Sequence, residues 1–200
     1  AVDIYSMERI FTGIDEIDRI IGGLSFGQGI LVTGTRGAGK STFMSQLIVE
    51  ALDQGYKTFA YSGELTDYHF KRWLDFQAAG PDNIITNTDR IRFVCVDNLM
   101  TALDVDMRDD LYRAQSRFLR ELKLLACRYN IVVLLVAHPR KMRDNTFAND
   151  DVAGSADITN RVDVVMSYSR SEDETCDSKL AITKNRLTGR LAMGEKQIKL

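Results

Sequence analysis

The chain is short of the residues that interrupt or cross-link a fold. Only two prolines, Pro81 and Pro139, occur in 200 residues, with no low-complexity linker and no internal repeat, which leaves one domain rather than a string of modules. Cysteine is scarce. Cys95, Cys127 and Cys176 are scattered without metal-like spacing, and the apolar surroundings of Cys95 and Cys127 predict buried thiols in a reducing, intracellular setting. No apolar run is long enough to span a membrane and no signal peptide is visible. Excess charge is missing too: 27% of residues are charged, yet the formal net charge is only -2. A generally basic nucleic-acid coat is thereby excluded, while room remains for a local basic site. The chain opens on Ala1-Val2-Asp3 rather than Met. It is expected to be a C-terminal fragment of a longer cytoplasmic protein, with residues 1–200 as one domain and its targeting unreadable.

What is present is a core and a phosphate-binding pattern. At 44% hydrophobic, the chain can bury one compact interior. Residues Gly34-Thr35-Arg36-Gly37-Ala38-Gly39-Lys40-Ser41 match G-x-x-x-x-G-K-[ST] at every fixed position. The apolar, β-branched run Gly29 to Thr33 precedes them as a strand, and Thr42 to Glu50 follows with helical spacing. Glycines let successive N–H groups point inward at phosphate oxygens, and the helix N-terminus adds partial positive charge. In such a loop Lys40 bridges the β- and γ-phosphates of ATP, and the Ser41 hydroxyl ligates Mg2+.

The rest of the chain alternates strands and helices. A helix over Asp15 to Ile21 stops at Gly22-Gly23, and a strand is expected at Thr58 to Ser62. A helix from about Asp67 to Gln77 ends at Gly80-Pro81, and Ile91 to Val96 forms a third strand. A helix over roughly Met107 to Tyr129 carries the apolar stripe Leu111, Ala114, Phe118, Leu122, Leu125 and Tyr129. Its Arg113, Arg117, Arg120 and Lys123 lie on other faces and read as a solvated surface. Ile131 to Ala137 is nearly all aliphatic, as suits a parallel strand buried on both sides. A long polar loop, a short helix and a strand Val162 to Ser169 follow. Antiparallel strands come last, from Leu180 to Thr183 and, after the turn Leu187 to Arg190, on to Leu200. This is an α/β fold with a mostly parallel central sheet flanked by helices and antiparallel C-terminal strands. Ligands then belong at the carboxyl ends of the parallel strands.

Residues at those ends suit nucleotide chemistry. Asp97 can hold the magnesium shell, although Asp97-Asn98 equally suits a turn cap. Glu64 can orient and polarise an attacking water, or serve as a helix N-terminal charge beside Thr66. His138 can donate to a γ-phosphate and sense its loss, or be structural. Lys184 and Arg186 flank Asn185 and project to one side of an extended segment. They form an exposed edge or a phosphate clamp of the kind supplied by a neighbouring subunit.

The ordered set resembles the RecA-like ATPase domain of replicative helicases of the bacterial DnaB type, and also mitochondrial Twinkle and phage helicase–primases. The resemblance runs over nearly the whole chain: Thr12-Gly13-Ile14-Asp15 to Gly22-Gly23-Leu24, Ser62-Gly63-Glu64-Leu65, Val96-Asp97-Asn98-Leu99, Gly154-Ser155-Ala156 with Val162 to Val165, and Lys184-Asn185-Arg186 with Thr188-Gly189. It implies that Gly34 to Ser41, with Thr42, cradle ATP, that Ser41 and Asp97 hold Mg2+, and that Glu64 activates water. It further implies that His138 senses the γ-phosphate and that Arg186, with Lys184, reaches the ATP of the next subunit in a hexameric ring. Arg170 would pack on the base. The expected partners are single-stranded DNA and further copies of the chain. Two departures stand out: His138, followed by Pro139-Arg140-Lys141, is closer to the Twinkle and phage branch than the Gln common in bacterial enzymes. Ala153-Gly154 replaces an Arg-Glu pair, so DNA contact would rest on Gly154, Ser155 and Ala156, with Arg140, Lys141 and Arg143 as further candidates. The function this implies is a replicative DNA helicase motor. A RecA/RadA-like recombination or repair ATPase, or a nucleotide-gated regulatory ATPase module, are the alternatives.

Overall fold

The aliphatic strands set the layout, because a strand buried on both faces must lie inside a sheet covered on both sides. The computed structural model describes residues 8–35, 37–63, 91–102, 111–138, 156–170 and 178–198. In chain order these form β1 (Arg9–Ile10), α1 (Asp15–Ile21), β2 (Leu24–Ser25), β3 (Gly29–Gly34), α2 (Lys40–Asp53), β4 (Thr58–Ser62), β5 (Phe93–Asp97), α3 (Leu99–Ala102), α4 (Leu111–Tyr129), β6 (Val132–Ala137), α5 (Ala156–Arg161), β7 (Val164–Arg170), β8 (Ser178–Asn185) and β9 (Ala192–Ile198). The expected helix at 67–77 and the polar loop after His138 lie outside the described residues.

Seven strands make one sheet in the order β4-β5-β6-β3-β7-β8-β9. The first five are mutually parallel, and β8 and β9 close the edge antiparallel. β3 and β6 are buried at every position. On one face Ile30, Val32, Leu134 and Met166 pack with Ile17 and Ile21 of α1 and with Phe43, Met44 and Leu47 of α2. On the other, Leu31, Leu135 and Val165 pack with Leu119 of α4 and Ile158 of α5. Each such Leu or Ile contributes about 1.5–3 kcal/mol by leaving water.

Helix ends follow the sequence. Gly22 adopts a left-handed conformation at the end of α1, and its N–H returns to the Asp18 carbonyl. α2 buries Phe43, Met44, Leu47, Ile48 and Ala51, one face at helical spacing. The Gln54 side chain then ties its end to both the N–H and the carbonyl of Phe11.

Two expectations shift. In α4 the buried residues are Gln115, Leu119 and Ala126, while Leu125 and Tyr129 are exposed. The helix is rotated about one residue from the predicted stripe. Leu125 and Tyr129 instead line an apolar groove of about 1000 Å³ with Phe59, Tyr61 and Val94. The same rotation puts Cys127 at the surface, whereas Cys95 is buried in β5 and its thiol is pushed up by burial. No helix among the described residues is long and apolar enough to cross a membrane.

Candidate nucleotide site

The glycine loop joins the carboxyl end of β3 to the start of α2, between two neighbouring strands that end beside it. Thr33 pairs with Ala137 of β6, and Gly34 with Tyr168 of β7. Gly34 has no room for a side chain, since a Cβ there would stand 2.0 Å from the Tyr168 carbonyl oxygen. Glycine is thus required by strand approach as well as by loop curvature. Below it the Tyr168 ring packs on Phe43 of α2, with centroids 4.9 Å apart.

Gly39 caps α2 in a left-handed conformation (φ 90°) and supplies no side-chain hydrogen bond. A Ser or Asp cap would occupy the first N–H groups of the helix. With glycine those groups and the positive end of the dipole are left to an anion. Lys40 is 4% exposed, and its ammonium donates to the carbonyls of Gly34 (2.9 Å) and Thr35 (2.8 Å). Buried positive charge is tolerated only with such partners. The lysine is folded back over its own loop.

Asp97 ends β5 and is 4% exposed. Its Oδ2 accepts a hydrogen bond from the Ser41 hydroxyl at 2.8 Å. Two residues far apart in sequence, singled out for the same ion, therefore meet. A hydroxyl paired with a carboxylate is the hard-oxygen donor set that suits hydrated Mg2+, so the residues present fit that ion. Thr42 follows in the first turn of α2. The N–H of Gly63 donates to the Asp97 carbonyl (2.7 Å), bringing the chain after β4 beside Asp97. Glu64 itself lies outside the described residues. His138 is half-buried at the exit of β6, one residue beyond the Ala137–Thr33 pairing.

Two residues brace the loop from β7 and β8. Arg170 Nε donates to the Gly37 carbonyl (3.1 Å), which sets its guanidinium on the loop. Ser178, 2% exposed, donates its hydroxyl to the Ala38 carbonyl at 2.8 Å. Sequence reasoning missed Ser178, because only the antiparallel pairing of β8 with β7 brings it back to the loop.

Lys184 and Arg186 stand elsewhere. β8 runs antiparallel, so Asn185 lies level with Val164 and hence with Ile30, near the beginning of β3. The rise from Ile30 to Gly34, about 13 Å along the strand, separates that level from the loop. Both cations are held there. Lys184 Nζ donates to the Thr159 carbonyl (2.6 Å), and Arg186 donates to the Asn160 carbonyl (2.6 Å) and to Asp163 Oδ1 (3.3 Å). Burial holds the Lys184 ammonium below the usual lysine range, repulsion by Arg186 adds to this, and Asp163 opposes it. Arg36, Arg140, Lys141, Arg143, Gly154 and Ser155 lie outside the described residues, while Ala156 opens α5. Arg113, Arg117 and Arg120 are exposed on α4.

The sheet order, the loop after β3 and the antiparallel edge define a RecA-like ATPase fold. The family "ATPase: KaiC" matches residues 10–75, which include the whole glycine loop. The chain is 27% identical over 187 residues to the DNA repair protein RadA of Campylobacter jejuni, a match covering 84% of this chain and 40% of RadA. It therefore spans well under half the length of that curated relative. Among solved structures, an isolated ATPase domain superposes with a TM-score of 0.77 at 15% identity, covering 98% of this chain and 93% of that one. A DnaB-like replicative helicase, solved with attention to its interactions with primase, gives 0.77 at 17% identity, over 96% of this chain and 61% of the other. The RadB recombinase gives 0.67 at 16% identity, over 92% of each chain. The helicase and the recombinase structures thus share this architecture.

Proposed function

We propose that this chain is the motor domain of an oligomeric, ATP-driven DNA helicase of the replicative type. The observation that carries the reading is the opposition of the two ends of the sheet. The loop with Lys40, Ser41 and Asp97 lies at one end, and Arg186 with Lys184 at the other. A complete hydrolytic site then needs two copies, head to tail. The loop N–H groups and Lys40 would bind the phosphates of ATP, and Glu64 would orient the water that attacks the γ-phosphorus. His138 would register the γ-phosphate. Magnesium, when bound at Ser41 and Asp97, supplies charge neutralisation on the phosphate oxygens. Arg186 of the adjoining copy would stabilise the charge that develops as the bond to ADP breaks. Repetition of this contact gives a ring, hexameric in the resembling helicases, around single-stranded DNA. DNA contact would fall to Arg140, Lys141, Arg143 and the segment Gly154 to Ala156.

The match to RadA favours a second reading, a recombination or repair ATPase that assembles as filaments on DNA. Steady-state ATP hydrolysis by the full-length protein, with and without single-stranded DNA, tests the coupling. Strong stimulation by DNA, abolished by Lys40→Ala, is expected. DNA-indifferent turnover from an oligomer would overturn a DNA motor in favour of a regulatory ATPase. Strand-unwinding assays and electron microscopy then separate closed, unwinding rings from filaments.

A further inference from the structure

Asp163 sits in the short turn between α5 and β7, at the end of the sheet away from the phosphate loop, and no motif singles it out. Its side chain is only 11% exposed, and its two oxygens have different tasks. Oδ2 accepts from the Gly29 N–H (2.8 Å) and from Lys123 Nζ (2.5 Å). The same lysine also donates to the Gly27 carbonyl at 2.7 Å. That oxygen is thereby fixed to the start of β3 and to α4. Oδ1 instead faces Arg186 Nη1 at 3.3 Å. The backbone repeats the arrangement: Asp163 N–H donates to the Gly29 carbonyl, and Arg186 N–H donates to the Asp163 carbonyl (2.9 Å). The second arm of the guanidinium rests on the Asn160 carbonyl.

Two facts separate this cluster from a plain structural ion pair. Arg186 remains 51% exposed although one edge of its fork is held, so its other N–H groups face outward. And among the described residues Asp163 is the carboxylate that faces Lys123, Lys184 and Arg186 together. A brace for the fold would balance its charges, since unbalanced charge taken out of water is costly. A surplus of cations fits a surface that meets a polyphosphate.

We infer that Asp163, anchored through Lys123 and the Gly29 N–H, is a positioning residue that aims Arg186 at the nucleotide of an adjoining copy. This rests on the proposed action of Arg186 in trans, and mixed assemblies of the full-length protein test the two separately. Asp163→Asn should bind ATP with little change in KM and lose about 10²-fold in kcat, the scale of a misplaced catalytic group. Its own phosphate loop stays intact. Mixed with Lys40→Ala protein, which has a sound Arg186 and Asp163 but a dead loop, it should regain turnover. Mixed with Arg186→Ala protein, it should regain none, because both partners then lack a working arginine. Recovery with Arg186→Ala but not with Lys40→Ala would place Asp163 in its own subunit's nucleotide site and overturn the inference. Wild-type turnover in Asp163→Asn would do the same. Failure of Lys40→Ala and Arg186→Ala to restore each other would overturn trans action itself. If Asp163→Asn does not fold by thermal melt, Asp163→Asn with Lys123→Met removes the buried charges together and takes its place in the same mixtures. Absence of recovery with Lys40→Ala there again sinks the inference.

Discussion

The two ends of the central sheet are built on different principles. At the carboxyl end the phosphate loop is made of backbone: glycines, N–H groups and carbonyls, with Lys40 neutralised by the loop it belongs to. At the amino end the cations of β8 are held by side chains and helix carbonyls drawn from far-apart segments. A backbone cradle is rigid and tolerates almost no volume change. A charge cluster tolerates volume change but depends on the balance among its members. Substitutions at the loop end should therefore act on folding and binding, and those at the other end on turnover and titration.

The largest expected effect is at Gly34. Gly34→Ala places a methyl group against the Tyr168 carbonyl, between two central strands that cannot separate. Overpacking against backbone costs about 3 kcal/mol or more, a fall of roughly 10 °C in Tm for a chain of this length. Calorimetric melting of the full-length variant checks it. A Tm within a degree of wild type would show that β3 and β7 are more compliant than their pairing implies, and the contrast between the two ends would fail.

The same contrast explains what was legible beforehand. The loop is a run of consecutive residues, so its pattern, its strand and its helix were all open to local reading, and Asp97 could be found as the polar residue that ends an apolar run. The parallel direction of the central strands followed from alternation with helices, whereas their order in the sheet needed the structure. The exposed Tyr129 and Cys127 were misjudged, because helical periodicity defines an apolar arc but not which edge of it faces the sheet. Ser178 and Asp163 were invisible for another reason. Each acts on a partner more than 130 residues away, Ala38 and Gly29 respectively, and only strand register joins them.

A smaller effect is expected at Ser178. Ser178→Ala strips the buried Ala38 carbonyl of this donor, at a cost of about 1–3 kcal/mol. Part of that loss should appear as weaker ATP binding, because Ala38 belongs to the cradle. Fluorescent nucleotide titration should give a several-fold rise in Kd with turnover at saturation preserved. Loss of saturated turnover with unchanged Kd would instead move Ser178 out of the binding role and blur the distinction between the ends.

The subtlest test concerns Lys184, whose titration reports the charge balance at the amino end. Burial is the main cause of its depressed pKa, and Arg186 and Asp163 push in opposite directions. Removing a like charge favours the ammonium, so Arg186→Ala should raise the Lys184 pKa. Removing the carboxylate withdraws its support, so Asp163→Asn should lower it. Burial persists in both variants, so the direction of change is the informative quantity. Lysine side-chain NMR across alkaline pH measures it without any turnover. Opposite shifts would establish one coupled cluster, with Asp163 setting the field in which both cations of β8 sit. If both variants move Lys184 the same way, the substitutions have changed its solvent exposure rather than its electrostatics. The amino end would then share the steric character of the loop end, and the division between them would be lost.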